Sequence, residues 1–344
     1  MEINNCSSCG GKVEFDPDSK GLKCVKCGNV YKIDSKKKTT KRPIQDKENE
    51  EGFREWQTSG RCFHCQNCGA QLILNNLEMS NTCQYCHTSS LVPYEQLPGL
   101  KPDAVLPFKI SKAKASETFK ANLRKKWFLP NKFKKNIPLA DIGATYISSF
   151  NFAYHTYSLY HGIEHYTVTV TRNGQTHTES RSRPISGHLD YQFDNVVVEA
   201  SDKLDQYEIM QILPFNFNEG YEYNSGFIKG YNVEYYNLNA TQAFEKSKKI
   251  ADSEIENMIA SRYNSVSNLS VKTNFSNELY NYSLLPVYFV SYKYKDKEYR
   301  NLMNGQNGAI GGKLPRSGVK ITFTVLLSLL LVIGIPLLIV LLTI

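Results

Sequence analysis

Residues 6–28, CSSCGGKVEFDPDSKGLKCVKCG, and residues 65–87, CQNCGAQLILNNLEMSNTCQYCH, carry one pattern twice, 59 positions apart. Each holds two C-x2-C pairs separated by fourteen residues: Cys6 and Cys9 with Cys24 and Cys27, then Cys65 and Cys68 with Cys83 and Cys86. Gly10 maps onto Gly69, and Val13 and Phe15 onto Leu72 and Leu74. An internal repeat of this kind is a structural unit used twice. A C-x2-C turn aims two thiolates at one ion, and two such turns supply the four tetrahedral ligands Zn2+ takes, with Zn–S near ~2.3 Å. The glycine after the second cysteine, at Gly10, Gly28 and Gly69, suits the positive φ of such a turn. KVEFDPDSKGLK, residues 12–23, reads as strand, turn, strand, with Asp16-Pro17-Asp18 in the turn. The expectation is two zinc ribbons, each closing one structural Zn2+ with four thiolates. No coordination position is left open for catalysis.

Cys62 is the one cysteine outside this pattern and also forms a C-x2-C with Cys65, with His64 between them. A register using Cys62 is open. The fourteen-residue gap and the following glycine favour Cys65 and Cys68, which leaves Cys62 a free thiol. His64 is read as a surface residue, and His87, directly after Cys86, as a solvated side chain with a supporting contact to the second site as the alternative.

The remaining sequence divides by composition. The chain has 344 residues, a formal charge of +8 and 41% hydrophobic residues, which excludes a wholly disordered chain and a small secreted knot. Residues 1–33 are the first ribbon and 58–98 the second. Residues 34–57, charged at both signs and poor in aliphatics, read as a tether, most of 34–52 disordered, with Phe53 and Trp56 on the second ribbon. Residues 99–315 read as an α+β domain rich in strand, with two amphipathic helices. Ser111 opens the first, and its apolar stripe includes Phe119, Leu123 and Trp127. The second spans Asn239 to Arg262 with Phe244, Ala251, Ile255, Met258 and Ile259 on one face. Asn173-Gly174 between alternating runs marks a hairpin. Residues 316–344 are a basic segment and an uncharged stretch, ITFTVLLSLLLVIGIPLLIVLLTI over 321–344, read as one C-terminal transmembrane helix. Lys313, Arg316 and Lys320 before it place the body on the cytoplasmic side of the cell membrane. The reading is a tail-anchored, single-pass protein.

From Lys109 to Lys135 there are ten basic residues and one acidic residue, Glu117. The stretch suits anionic lipid or nucleic-acid phosphates, or is a solvated face. His155, His161, His165, His177 and His188 are scattered through strand-like sequence and suggest no site. Gly312-Lys313-Leu314 fails the phosphate-loop pattern. No catalytic constellation emerges, so the expected function is a non-enzymatic adaptor that recruits protein partners at the membrane face. A membrane-tethered nucleic-acid binder is the alternative.

The paired ribbons, the stretch GAQLILNNLEMSNTCQYCHTSSLVP, the following LPFK and the late MNGQNGAIGGKLP resemble bacterial proteins with transcription factor IIB-type zinc ribbons and a C-terminal membrane segment. Members are often labelled primosomal helicase-like or phage replisome organiser-like. The resemblance implies the same eight cysteine ligands. It also implies partners among phage-shock protein A-like and scaffold-type membrane-stress proteins. No helicase activity carries over, because the nucleotide-binding loop is missing.

Overall fold

The chain folds as a β-dominated α+β structure. The computed structural model describes residues 5–37, 40–44, 61–74, 83, 85, 88, 91–94, 101–137, 139–172, 174–201, 203–234 and 236–334. Phe53, Trp56, Cys86 and His87 lie outside the described residues.

The first repeat is a three-stranded antiparallel sheet of β1 (Val13–Asp16), β2 (Gly21–Cys24) and β3 (Val30–Lys32). Its turn is held where Asp16 Oδ2 accepts the Ser19 N–H at 3.1 Å. A two-residue strand, β4 (Arg42–Pro43), follows. The second repeat supplies β5 (Arg61–Cys65), β6 (Gln71–Leu74) and β7 (Leu91–Tyr94). Then come β8 (Ala104–Val105), α1 (Lys112–Lys125) and α2 (Asn131–Lys135).

The body is built on three long strands: β9 (Leu139–Arg172), β10 (Gln175–Glu199) and, after α3 (Gln206–Ile212), β11 (Tyr221–Glu222), β12 (Asn232–Glu234) and α4 (Ala240–Ala260), β13 (Val266–Tyr294). β14 (Lys297–Asn304), β15 (Ile310–Gly312) and α5 (Gly318–Leu329) complete the chain order. β9 is the centre, antiparallel to β10 on one side and to β13 on the other. The expected hairpin joins β9 to β10: Gln175 pairs with Arg172, and Gly174 has φ +77°, while Asn173 lies outside the described residues. Fully extended, 34 residues reach ~110 Å. α4 packs on an apolar face of this sheet. Asn239 caps it through a reciprocal box with Gln242, and Phe244, Ala251, Ile255 and Ile259 bury against Phe152, Tyr154 and Leu189.

Both ribbons are built into this body. β6 pairs with β12, and β12 with β9, so the second repeat continues the central sheet. The first repeat shares a core with the body: Val13, Phe15 and Leu22 cluster with Phe108, Phe227 and Tyr231. Phe15 meets Phe227 edge-on at 5.3 Å, and its N–H donates to Lys229 O at 2.9 Å. The segment expected to be a tether also runs along the body where it is described. Ser35 Oγ donates to Glu222 O at 3.1 Å, and Arg42–Pro43 pair with Tyr280 and Leu279. Each ribbon's apolar face is too small to form a core alone and is completed by the body's aromatics.

The C-terminal transmembrane helix is corrected. Among the described residues no helix is long and apolar enough to cross a membrane. α5 has 12 residues, ~18 Å of helix against a hydrocarbon core of ~30 Å. At Leu330–Gly334 the α ladder gives way to a π turn. Pro336, which has no backbone N–H to donate, follows two residues later. Residues 335–344 lie outside the described residues. The tail anchor, the cell-membrane location with a cytoplasmic body and lipid contact through this helix lose their support with it. α5 starts where the Ser317 N–H donates to Phe128 O at 2.8 Å. Lys320 Nζ donates to Trp127 O and Leu129 O at 3.0 and 2.9 Å.

Candidate metal centres

Four knuckles share one backbone device. The N–H of the first cysteine donates to the carbonyl five residues on: Cys6 to Gly11 at 2.7 Å, Cys24 to Asn29 at 2.8 Å, Cys65 to Ala70 at 2.9 Å and Cys83 to Thr88 at 2.8 Å. In three of them the returning N–H of the knuckle glycine reaches the first cysteine's carbonyl, from Gly10, Gly28 and Gly69, at φ +68°, +80° and +70°. That left-handed conformation strains any side chain, which is why glycine recurs there. Gly11 has a second reason: a Cβ there would stand 3.0 Å from Cys24 Sγ and 3.3 Å from Cys9 Sγ.

The result is two sulfur clusters. Cys6, Cys9, Cys24 and Cys27 have all their Sγ atoms within 4.8 Å of one another, and so do Cys65, Cys68 and Cys83. Cys86 lies outside the described residues. Cys6 to Cys27 and Cys9 to Cys24 are 3.5 Å apart, and Cys68 to Cys83 is 3.6 Å. A disulfide would need ~2.05 Å. Four sulfurs at ~2.3 Å from a tetrahedral ion stand ~3.8 Å apart, close to these separations. Both clusters could therefore hold a metal ion. Cys62 contributes its backbone to β5, opposite Ile73 and Tyr94.

The charge state of the first cluster fits a cation. Tyr31 reaches over from β3, and its hydroxyl stands 3.1 Å from Cys6 Sγ while accepting the Ser7 N–H at 3.0 Å. With that contact made first to Tyr31, the Cys6 thiol is held down at about 6. Cys24 is lowered too, first by the backbone N–H of Cys27. Cys27 is pushed up to about 12: the Asn29 N–H pulls it down, but the sulfurs of Cys9 and Cys6 outweigh it. Crowded thiols that must share protons are a ligand set a divalent cation relieves. Tyr31→Phe will weaken metal retention about tenfold in a chelator competition while leaving the far-ultraviolet spectrum unchanged, because it removes only the outer hydrogen bond.

The second cluster sits on a buried acidic pair that the sequence did not disclose. Tyr85, between Cys83 and Cys86, donates its hydroxyl to Glu234 Oε1. Ser201 Oγ contacts both Glu234 Oε1 and Glu199 Oε1, and the Ser201 N–H donates to Glu199 Oε1 at 2.6 Å. Glu199 and Glu234 are 3% and 1% exposed. One serine hydroxyl has one hydrogen and cannot donate to two carboxylates at once, which favours a carboxyl that keeps its proton. Burial, then the charge of Glu199, holds Glu234 well above the ordinary carboxyl range. Lys203 Nζ donates to Cys68 O at 3.0 Å, and Arg300 Nη1 to Tyr85 O, also at 3.0 Å. A lone glutamate after Val196-Val197-Val198 and another after Val233 carry no sequence signal of this meeting.

The scattered histidines do not converge. His155 pairs with Asp190 at 2.7 Å, and His165 lies between Ser182 and Ser267 at 2.8 and 2.7 Å. His188 stacks on Tyr157 with centroids 5.6 Å apart. The basic stretch is partly consumed within the fold. Lys109 pairs with Glu219, Lys112 with Glu14 at 3.8 Å, and Lys114 with Asp18 at 2.6 Å. The late glycine-rich motif is a structural knot. The Asn304 amide donates to Ile212 O at 2.8 Å and Pro214 O at 3.3 Å and accepts from the N–H groups of Gln306 and Asn307.

No family model matches the chain, and no solved structure matches it. The chain is similar to a Bacillus subtilis (strain 168) protein described as "Uncharacterized protein YdjG". The two are 27% identical over 329 residues, which span 92% of this chain and 91% of that protein.

Proposed function

We propose that the chain is a non-enzymatic interaction module whose two ribbons each close around a structural Zn2+, as in transcription factor IIB-type ribbons, and whose body presents surfaces to protein partners. Cys6, Cys9, Cys24 and Cys27 hold one ion. Cys65, Cys68, Cys83 and Cys86 hold the other; the Cys83-to-Thr88 bond, matching the other three knuckles, supports Cys86 as the fourth ligand. The observation that carries this reading is the closed sulfur set of the first ribbon, shared with the main core. Four thiolates leave the metal no open position, so it would supply rigidity rather than reactivity. Nucleic-acid binding is less favoured, because Lys109, Lys112 and Lys114 are spent on internal carboxylates. Phage-shock protein A-like proteins are the first partner class to try.

Elemental analysis of the purified chain should return two zinc atoms, and X-ray absorption should show four sulfurs per zinc. Crosslinking in the native cell should join the chain to a defined protein. Nitrogen or oxygen in the zinc shell, or crosslinks no richer than background, would sink the reading.

A further inference from the structure

β15 covers only part of β14. Gly312 pairs with Asn301, Gly311 with Leu302 and Ile310 with Met303, and there the ladder stops. Gly312, at φ +99°, turns the chain away, and Asn301 Nδ2 fixes the turn by donating to Gly311 O and Lys313 O at 3.0 and 3.2 Å. Lys297 to Arg300 pair with β13 on one side and, among the described residues, with no strand on the other. A groove of about 1100 Å³ runs along this stretch, between the 126–129 loop and the start of α3.

Two further features line the groove. Trp127, Phe128 and Tyr207 are 59%, 45% and 67% exposed, large apolar surfaces facing one space. Lys126, Lys297, Lys313 and Arg316 also line it, with no carboxylate partner among the described residues. Arg300 is paired with Glu208 at 3.5 Å. The acids of the lining are Asp205, Glu208 and Glu298, so the uncompensated charge is positive. An open strand edge offers main-chain hydrogen bonds, the rings offer apolar contact, and the cations select the sign of the ligand.

We propose that this groove binds an extended acidic segment of a partner protein, with apolar residues at alternate positions, added as a strand to the Lys297–Arg300 edge. A single-stranded nucleic acid would use the rings and the charge but not the open backbone edge. Strand addition uses all three, since alternate side chains of an added strand point to opposite faces. The proposal rests on the interaction-module reading and names its surface.

The test is fluorescence anisotropy with the zinc-loaded full chain and a labelled heptapeptide alternating aspartate with phenylalanine, leucine and valine. Three comparison probes accompany it: the lysine counterpart, the same acidic peptide N-methylated at alternate residues, and an oligothymidylate of equal charge. The acidic peptide should bind best. Methylation, or the double substitution Lys297→Glu with Arg316→Glu, should weaken it at least about tenfold. Equal binding of the lysine peptide, indifference to methylation, or tighter binding of the oligothymidylate would overturn the proposal. Both substituted residues are exposed, and neither is a cysteine of the two clusters. Zinc content measured on the same sample therefore separates failure of the groove from failure of the zinc reading.

Discussion

A Cys24→Ser chain will retain one zinc instead of two and melt about 10 °C below the parent, because a lost structural zinc removes folding free energy outright. Cys24 is 2% exposed and belongs both to the sulfur cluster and to the core shared with Phe15, Phe227 and Tyr231. Losing the ion therefore loosens part of the main core as well as the ribbon. Zinc per chain and the melting midpoint, read on the same preparation, check it. Cys62→Ser is the control for register: it should keep two zincs, whereas Cys68→Ser should keep one. If Cys62→Ser lost a zinc and Cys68→Ser did not, the second ribbon would be assigned to the wrong cysteines. Unchanged zinc and melting in Cys24→Ser would remove the first site altogether.

What the sequence made legible was local. The knuckle glycines, the hairpin at Gly174 and the helix start at Asn239 depend on neighbours within a few residues, and each lies where its local pattern put it. The four cysteines of the first ribbon are brought together as their spacing required, and so are three of the second ribbon's four. What was not legible depends on partners far along the chain. The apolar alternation of Val13 and Phe15 reads equally well as a ribbon's own core or as a docking face; only Phe227 and Tyr231, more than two hundred residues on, decide it. The basic run from Lys109 looks unpaired until Glu14, Asp18 and Glu219 arrive from other elements. At the C-terminus, hydropathy counted residues without asking where the helix ends. The change to a π turn at Leu330 leaves α5 too short for the reading placed on it.

The buried acidic pair makes stability fall as pH rises. Glu234 holds its proton more tightly in the folded chain than in the unfolded one, where an ordinary glutamate titrates near ~4.3. The contribution is therefore complete below the unfolded value and is lost as pH climbs toward the raised folded value. The slope in that window approaches ~1.4 kcal/mol per pH unit for one retained proton. Between pH 6 and pH 8, where thiolates still hold zinc, unfolding free energy should fall as pH rises. Glu234→Gln should flatten this dependence. An amide cannot ionise, yet its oxygen, in the place of Oε1, can still accept from both Tyr85 and Ser201. The variant should gain on the parent as pH rises, the difference being largest at pH 8. Glu199→Gln should act in the same direction, because removing either charge frees its neighbour from repulsion. The charged groups facing the pair all bear on the reading. Arg300 is bound to the Tyr85 carbonyl and to Glu208, and Lys203 to the Cys68 carbonyl. A denaturation series in which parent and Glu234→Gln run parallel from pH 6 to pH 8 would mean that the pair is already fully ionised in the folded chain. The single Ser201 hydrogen would then be an insufficient reason for a retained proton.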